Sequence, residues 1–333
     1  MKKTILITGA SGFIGRFLIN EALTRNYEVY AVVRKSSNIE HLKDKAIHII
    51  YLDFTNYPSM ITTLSELPPI TYIIHAAGIT KSFKSQTYYD VNVGNTKKLL
   101  NAIVQSKNIP ELFLLISSLA AFGPGSNQSS LPVCNEDMPI PITHYGVSKH
   151  MAESIVTHQT LFPYIILRPT AVYGPGEKDI FQSIKLMNKH FDFMIGSHKQ
   201  YLTFVYVQDL IDVCFNLLEA NIKNKAYFVT DGSLYSKKDL GRLIEKKLDK
   251  KVFHIAVPLQ LVRYIALITE TIARIAKYQA TALNYEKVKE LAAVNWNCDI
   301  GPLEVDIGYK AKYKLEDGIN ETIEWYKNEG WLS

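Results

Sequence analysis

The stretch Thr4-Ile5-Leu6-Ile7-Thr8-Gly9-Ala10-Ser11-Gly12-Phe13-Ile14-Gly15, with Phe17-Leu18-Ile19 just beyond it, decides the reading of this chain. An apolar run, a glycine turn and a second apolar run give the order strand, turn, helix. The N-terminus of a helix carries free N–H groups and the positive end of the helix dipole, so it is a ready site for an anion. Gly9, Gly12 and Gly15 let the main chain approach a pyrophosphate with no Cβ in the way. The spacing therefore points to a bound dinucleotide.

Outward from this turn, the first half alternates short apolar runs with segments of helical period. The runs fall at residues 4–8, 28–33, 48–52, 72–75, 112–117 and 164–167, and helical period shows at 95–104 and 150–158. Strands alternating with helices predict an α/β fold: a doubly wound parallel sheet of Rossmann type, covered on both faces and rich in Val, Ile and Leu. After Arg168-Pro169 the pattern changes. The turn cluster Tyr173-Gly174-Pro175-Gly176 precedes a helix at 180–189, an apolar run at 203–207, a helix at 209–218 and a strand at 226–230, and helices dominate from Asp231. The expected division is a dinucleotide-binding domain over 1–173, to which 203–230 returns, and a smaller, mostly helical substrate domain over 174–202 and 231–333.

Bulk properties narrow the class. The 333 residues are 47% hydrophobic and 21% charged, as in an ordinary soluble globular protein. The net charge of +5 is spread among lysines such as Lys237, Lys238, Lys246 and Lys247 with acids between them, which favours solvated helix faces over nucleic-acid binding. Cys134, Cys214 and Cys298 are too few and too far apart for a disulfide framework or a zinc site; they fit a reducing cytoplasm, and no metal is expected. Met1-Lys2-Lys3 and the run after it meet Gly9 too soon for a signal peptide. In 259–278, Leu259, Val262, Ile265, Ile268, Ile272 and Ile275 recur at helical spacing, but Arg263, Glu270, Arg274 and Lys277 interrupt them, which excludes a membrane span. A core-facing helix, a lid over an apolar substrate and an interfacial helix making peripheral membrane contact all fit this pattern.

The chemistry centres on Tyr145-Gly146-Val147-Ser148-Lys149. On a helix, Tyr145 and Lys149 share one face at i and i+4. A phenol is a poor proton carrier at neutral pH, and a neighbouring ammonium is expected to lower its pKa and fit it for exchange with a carbonyl or alcohol oxygen.

This constellation resembles the extended short-chain dehydrogenase/reductase family, also called NAD-dependent epimerase/dehydratases. The resemblance covers almost the whole chain. It rests on the glycine turn, His75-Ala76-Ala77-Gly78, Ser117-Ser118, Tyr145 to Lys149, Leu167-Arg168-Pro169-Thr170-Ala171-Val172-Tyr173-Gly174-Pro175 and Phe204-Val205-Tyr206-Val207-Gln208-Asp209. It implies that Tyr145 is the proton donor and acceptor and that Lys149 also binds the nicotinamide ribose. Ser118 falls where the family has its substrate-orienting hydroxyl, with Ser117 beside it read as a strand-end cap. Asn92 matches the family's asparagine, although Gly94 and Asn95 stand in exchanged order after it. Cofactor contacts are expected from Gly9, Ser11, Gly12, Phe13, Ile14, Gly15, Phe54, Ala76, Ala77, Gly78 and Pro169, with Asp53 at the adenine amino group. A homodimer through a helical bundle is also implied.

An acid at the end of the second strand would accept from the adenosine ribose and repel a 2′-phosphate. This chain has Val33-Arg34-Lys35-Ser36-Ser37 there. Arg34, with Ser36 or Ser37, suits a phosphate, so NADP(H) is expected over NAD(H), with a solvated strand-end charge as the alternative for Arg34. Family members acting on nucleotide sugars carry an asparagine and an arginine where this chain has Thr170 and Leu202. Both departures point to the branch resembling dihydroflavonol reductases and hydroxysteroid dehydrogenases. The expected activity is a ketone/secondary-alcohol oxidoreductase on a small apolar or lipid-like molecule. A nucleotide-sugar epimerase or dehydratase is the alternative, and a cofactor-sensing protein without catalysis is a third reading that the intact Tyr145, Lys149 and Ser118 oppose.

Overall fold

A computed structural model of the chain describes residues 2–43, 45–196, 199–275 and 285–332, with the backbone alone at 270, 272–275 and 285. Its elements run β1 (Thr4–Thr8), α1 (Phe13–Thr24), β2 (Glu28–Val33), β3 (His48–Tyr51), α2 (Tyr57–Glu66), β4 (Tyr72–His75) and α3 (Ser85–Tyr88). A π-helical stretch, Tyr89–Asn95, leads into α4 (Thr96–Ser106). Then come β5 (Leu112–Ile116), α5 (His144–His158), β6 (Tyr164–Pro169), β7 (Ala171–Tyr173), α6 (Asp179–Asn188), β8 (Phe191–Ile195), β9 (Phe204–Tyr206), α7 (Val207–Glu219) and β10 (Lys225–Val229). The remainder is α8 (Lys237–Leu248), β11 (Phe253–Val257), α9 (Leu259–Ile275), α10 (Tyr285–Ala292), α11 (Gly301–Ile307) and α12 (Leu315–Asn328).

Seven strands form one sheet in the order β3-β2-β1-β4-β5-β6-β10, every pair parallel. Strand alternation sends Ile5, Ile7, Ile74 and Leu114 into one core, beneath α1 and α7. Leu6, Ile73, Phe113 and Leu115 enter the other, beneath α2, α4 and α5. The sheet order reverses between β1 and β4, and in open α/β sheets ligands bind at the carboxyl ends of strands beside such a switch. The apolar runs read from the sequence correspond to β1 through β6, and the strand expected at 226–230 is β10.

A third core joins Tyr173, Phe181, Ile184, Phe204, Tyr206, Ile244, Ile319, Ile323 and Tyr326, gathering α6, α8 and α12 over the β7–β9 pair. Helix α11 lies beyond residue 231, yet Leu303 packs in the first core, against the sheet. One pairing was not read from the sequence. β8 and β11 form a separate parallel pair with Phe191 opposite Phe253 and Phe193 opposite Ile255, inside a region where helices were expected. Each strand opens on an alternation of apolar and polar residues, Phe191-Asp192-Phe193 and Phe253-His254-Ile255, which is the period of a strand rather than of a helix.

Helix α9 carries the helix expected at 259–278 as far as Ile275; 276–278 and the side chains of Glu270, Ile272, Arg274 and Ile275 lie outside the described residues. Val262 and Ala266 pack with Val288, Ile195, Val257 and Leu259. Leu261, Tyr264, Ile265, Leu267 and Ile268 stay exposed, Tyr264 at 67%. Among the described residues no helix is long and apolar enough to cross a membrane.

Candidate active site

The first turn of α1 is built for an anion. Gly9 stands at φ +72°, and a Cβ there would lie 2.8 Å from the main chain of Ala76 and Ala77. A Cβ on Gly15 would lie 2.2 Å from the Gly9 carbonyl oxygen. Gly12 N–H closes the turn on that same oxygen at 2.9 Å. Gly12 is also the N-cap; it has no side chain to occupy the first N–H groups, and the first turn holds no acid to compete with a ligand. Ser11, Phe13 and Ile14 line this turn half-buried, as do Ala76 and Ala77 across from it, while Gly78 is exposed. The residues present therefore fit a pyrophosphate.

At the far side of the switch point, Arg34 and Ser36 project exposed beyond β2. Ser37 is spent on the turn: its hydroxyl accepts from Arg34 N–H at 3.2 Å, and its N–H donates to the Arg34 carbonyl at 2.9 Å. Among the described residues the Arg34 guanidinium has no ion-pair partner. Asp53, exposed after β3, accepts from the Thr55 N–H at 2.9 Å and hydroxyl at 2.6 Å, which hold its carboxyl below the usual carboxylate range. The half-buried Phe54 offers its carbonyl to Lys98 Nζ at 2.7 Å.

Helix α5 begins at the N-cap Thr143, whose hydroxyl accepts from Gly146 N–H at 3.0 Å. This start, earlier than the helical period at 150–158, puts Tyr145 and Lys149 on one helix face. Lys149 is buried, and its Nζ donates to the Ile116 carbonyl at 2.6 Å. Burial lowers its pKa to about 8 against the opposing pull of the Glu153 carboxylate. The Tyr145 phenol goes the other way. Burial pushes it up to about 12, a side-chain hydrogen bond with Ser118 opposes that rise, and Glu290 and Tyr88 add to it. The expectation that Lys149 lowers the phenol's pKa is thus overturned in this conformation: burial is the larger effect, and the ammonium is engaged at the end of β5.

The cap expected of Ser117 is made by Ser118 instead. Ser118 caps the turn Leu119–Ala121, accepting from Ala120 N–H at 3.1 Å, while also meeting Tyr145. Ser117 is buried and donates to Glu153, so it is not the cap.

Asn92 is buried in the π-helical stretch, a feature that recurs at functional sites. Its amide nitrogen donates to the Ile79 carbonyl at 3.1 Å and the Ser148 hydroxyl at 2.9 Å, and its amide oxygen accepts from Ile79 N–H at 2.9 Å. The exchanged Gly94-Asn95 pair lies inside this stretch, which runs without interruption into α4. Pro169 ends β6, buried and opposite Val229, and Thr170 donates through N–H and hydroxyl to the Val229 carbonyl at 3.1 and 3.3 Å.

The end of β4 draws these parts together. Ala76 and Ala77 press on Gly9, while a Cβ at Gly78 would lie 3.0 Å from Asn92 Oδ1 and 3.9 Å from Lys149 Nζ. The glycine turn and the Asn92–Lys149 pair therefore flank one short segment. Arg34, Ser36 and Asp53 lie on the other wing, beyond β2 and β3. His75 at the head of this segment had no role in the sequence reading. It is buried, bonded at Nδ1 to the Thr8 hydroxyl at 2.7 Å and at Nε2 to the Thr96 hydroxyl at 3.0 Å. The signal was its place in His75-Ala76-Ala77-Gly78; its partners are 67 and 21 residues away.

Beside these, α10 meets the start of α5, where Glu286 accepts from His144 N–H. Tyr89 bonds the His144 ring at 2.8 Å, and Lys81 pairs with Asp179 at the start of α6. Among the described residues no cluster of His, Cys, Asp or Glu could hold a metal ion.

Residues 5–230 match the model of the NAD dependent epimerase/dehydratase family. UDP-glucose 4-epimerase of Vibrio cholerae is 26% identical over 97% of this chain and 95% of that protein. Sterol-4-alpha-carboxylate 3-dehydrogenase, decarboxylating, of Candida albicans is 24% identical over 98% of both. Among solved structures, UDP-glucuronic acid 4-epimerase from Bacillus cereus in complex with NAD superposes with a TM-score of 0.77 at 24% identity, covering 98% of this chain and 99% of that one. The glycine turn, the Tyr145–Lys149 face and this match over the sheet-forming half agree: the chain belongs to the NAD dependent epimerase/dehydratase family and is an enzyme of the extended short-chain dehydrogenase/reductase type.

Proposed function

We propose that this enzyme is an NADP(H)-dependent oxidoreductase that interconverts a ketone and a secondary alcohol on a small apolar or lipid-like substrate. The observation that carries the reading is the shared β4 segment, with the glycine turn against Ala76 and Ala77 and the Asn92–Lys149 pair against Gly78. In this reading residues 1–173 and 203–230 hold the dinucleotide, and 174–202 with 231–333 hold the substrate.

A bound nicotinamide dinucleotide supplies the hydride acceptor or donor. The first-turn N–H groups of α1 take the pyrophosphate, Arg34 and Ser36 a 2′-phosphate, Asp53 and Phe54 the adenine, and Lys149 the ribose hydroxyls. In reduction the Tyr145 hydroxyl gives its proton to the substrate oxygen; in oxidation it takes one back. The Ser118 hydroxyl holds that oxygen as charge develops on it. Asn92 uses its side chain to fix Ile79 and Ser148, and so holds the floor of the site.

Two features support an apolar substrate. Leu202 packs on the third core and the Thr170 hydroxyl is spent on Val229, so neither brings a charge for a diphosphate. The apolar side chains exposed along α9 give such a substrate, or a membrane surface that carries it, a face to approach. The likeness to UDP-glucose 4-epimerase favours a second reading, a nucleotide-sugar epimerase or dehydratase with the cofactor regenerated in place. A screen of ketones and alcohols followed by NADPH absorbance separates the two. Stoichiometric consumption supports the reductase, and turnover of a UDP-sugar without net cofactor change supports the epimerase. Tyr145→Phe should bind NADPH as the wild type does and lose activity; full activity in that variant would refute the proton-transfer role.

A further inference from the structure

Three consecutive residues at the end of β5 bond to three successive turns of one face of α5. The Ile116 carbonyl accepts from Lys149 at 2.6 Å, the Ser117 hydroxyl donates to Glu153, and the Ser118 hydroxyl meets Tyr145. Tyr145, Lys149 and Glu153 follow at i, i+4 and i+8, a span of about 12 Å along the helix. The first two belong to the proposed chemistry, but Glu153 has no part in it.

Glu153 is nevertheless the best-anchored member. It is 3% exposed, a position that a carboxylate holds only when paired. Arg168 donates to it through Nε at 3.2 and 3.1 Å and through Nη2 at 2.8 Å. The guanidinium is itself fixed, with Nη1 on Asn135 Oδ1 at 2.8 Å and the Phe122 and Phe228 rings 5.0 and 5.3 Å away. The Ser117 main chain is held as well, donating to the Leu167 carbonyl at 2.7 Å.

We propose that Glu153 is a positioning residue: clamped by Arg168, it grips Ser117 and so fixes the strand end that docks Lys149 on one side and presents Ser118 on the other. Its charge also favours the protonated form of Lys149, which faces Tyr145 and Glu153 on its own helix and the neutral His75 of β4. The proposal rests on the reading of Lys149 as the residue that holds the cofactor's ribose.

The test is NADPH binding to the full-length protein, followed by cofactor fluorescence from pH 6 to 10, in the wild type, Glu153→Gln, Ser117→Ala and Lys149→Met. Wild-type affinity should fall with a midpoint near pH 8 as Lys149 loses its proton. Glu153→Gln keeps an acceptor for Ser117 but no charge, and should move that midpoint down by about one pH unit. Ser117→Ala removes only the grip; it should weaken binding by about tenfold with the midpoint unmoved. If both variants fold and keep the wild-type affinity and midpoint, Glu153 is structural and the proposal fails. If Glu153→Gln does not fold, Ser117→Ala decides, and unchanged affinity overturns the idea. Lys149→Met should lose the pH dependence altogether. If it binds as the wild type does at every pH, the reading of Lys149 fails, which is a different result from the failure of Glu153.

Discussion

The Nε2 atom of His75 lies 3.0 Å from the Thr96 hydroxyl, and the direction of that bond is fixed. Thr96 spends its single hydroxyl proton on the Asn92 carbonyl at 2.7 Å, so it can only accept from His75. Nε2 therefore carries the proton and Nδ1 accepts from Thr8 at 2.7 Å. Thr8 in turn accepts from Ala77 N–H at 3.2 Å. The result is one directed chain from the segment beside the glycine turn to the main chain of the π-helical stretch. It ties β1, β4 and α4 together through a neutral imidazole.

Neutrality here makes a prediction about acid. Burial, with Lys149 nearby, holds the His75 pKa down to about 3, against an ordinary value of 6.5. Between those values the unfolded chain binds a proton that the folded chain does not. The contribution is therefore complete above pH 6.5 and is lost as pH falls toward 3. His75→Gln keeps an N–H for Thr96 but does not titrate. It should melt lower than the wild type at pH 7.5, with the gap narrowing as pH falls to 4.5. Thermal melts across that range check it; a constant gap would mean that His75 titrates normally in the fold.

Glycine substitutions should divide sharply by position. Gly15→Ala forces a Cβ to 2.2 Å from a carbonyl oxygen of the turn, a contact that only backbone movement relieves. It should cost about 1–3 kcal/mol of stability and most of the NADPH affinity. Gly94→Ala, inside the helical run with its nearest neighbour at 3.7 Å, meets only ordinary contact. It should be neutral or stabilising by up to about 1 kcal/mol. Urea unfolding and cofactor titration of the two variants compare them directly.

These contrasts mark what could be read in advance. Strands β1, β2, β4, β5 and β6 were legible because a strand buried on both faces is an almost unbroken apolar run, and Tyr145 with Lys149 was legible because i and i+4 share a helix face. The β8–β11 pairing was not, because Phe191 and Phe253 meet 62 positions apart in the chain, with α7, β10 and α8 between them. That the cap falls to Ser118 and not to Ser117 was not legible, because the Ser117 hydroxyl is taken by Glu153, 36 residues on, and so depends on where α5 lies. The direction of the Tyr145 pKa was missed for the same reason. Spacing puts an ammonium near a phenol, but only the packed β5 end shows that the ammonium donates to the Ile116 carbonyl and that burial prevails.

Cofactor choice rests on one strand end. Arg34 is exposed, without an ion-pair partner among the described residues, beside Ser36. Arg34→Asp replaces a guanidinium suited to a 2′-phosphate with a carboxylate that repels it and can accept from ribose hydroxyls. NADPH should bind at least about tenfold more weakly and NADH no worse, read by parallel fluorescence titrations. An unchanged ratio would leave Arg34 as a solvated charge with no part in the choice of cofactor.

Lys149 should reveal itself in alkali even without a substrate. Burial lowers its pKa to about 8 from an ordinary 10.5. Below pH 8 the fold carries a buried charge at a cost. Between 8 and 10.5 the unfolded chain holds a proton that the folded chain has lost, so this group's contribution to stability rises with pH. Lys149→Met removes the charge while leaving the Ile116 carbonyl without its donor, two effects of opposite sign, each about 1–3 kcal/mol. Only the first changes with pH. The stability of the variant relative to the wild type should therefore decline as pH climbs from 8 to 10, whatever its value at pH 7. Denaturant unfolding at pH 7, 8, 9 and 10 measures that slope. A flat difference would mean that the lysine titrates near 10.5, with its ammonium in solvent rather than at the end of β5.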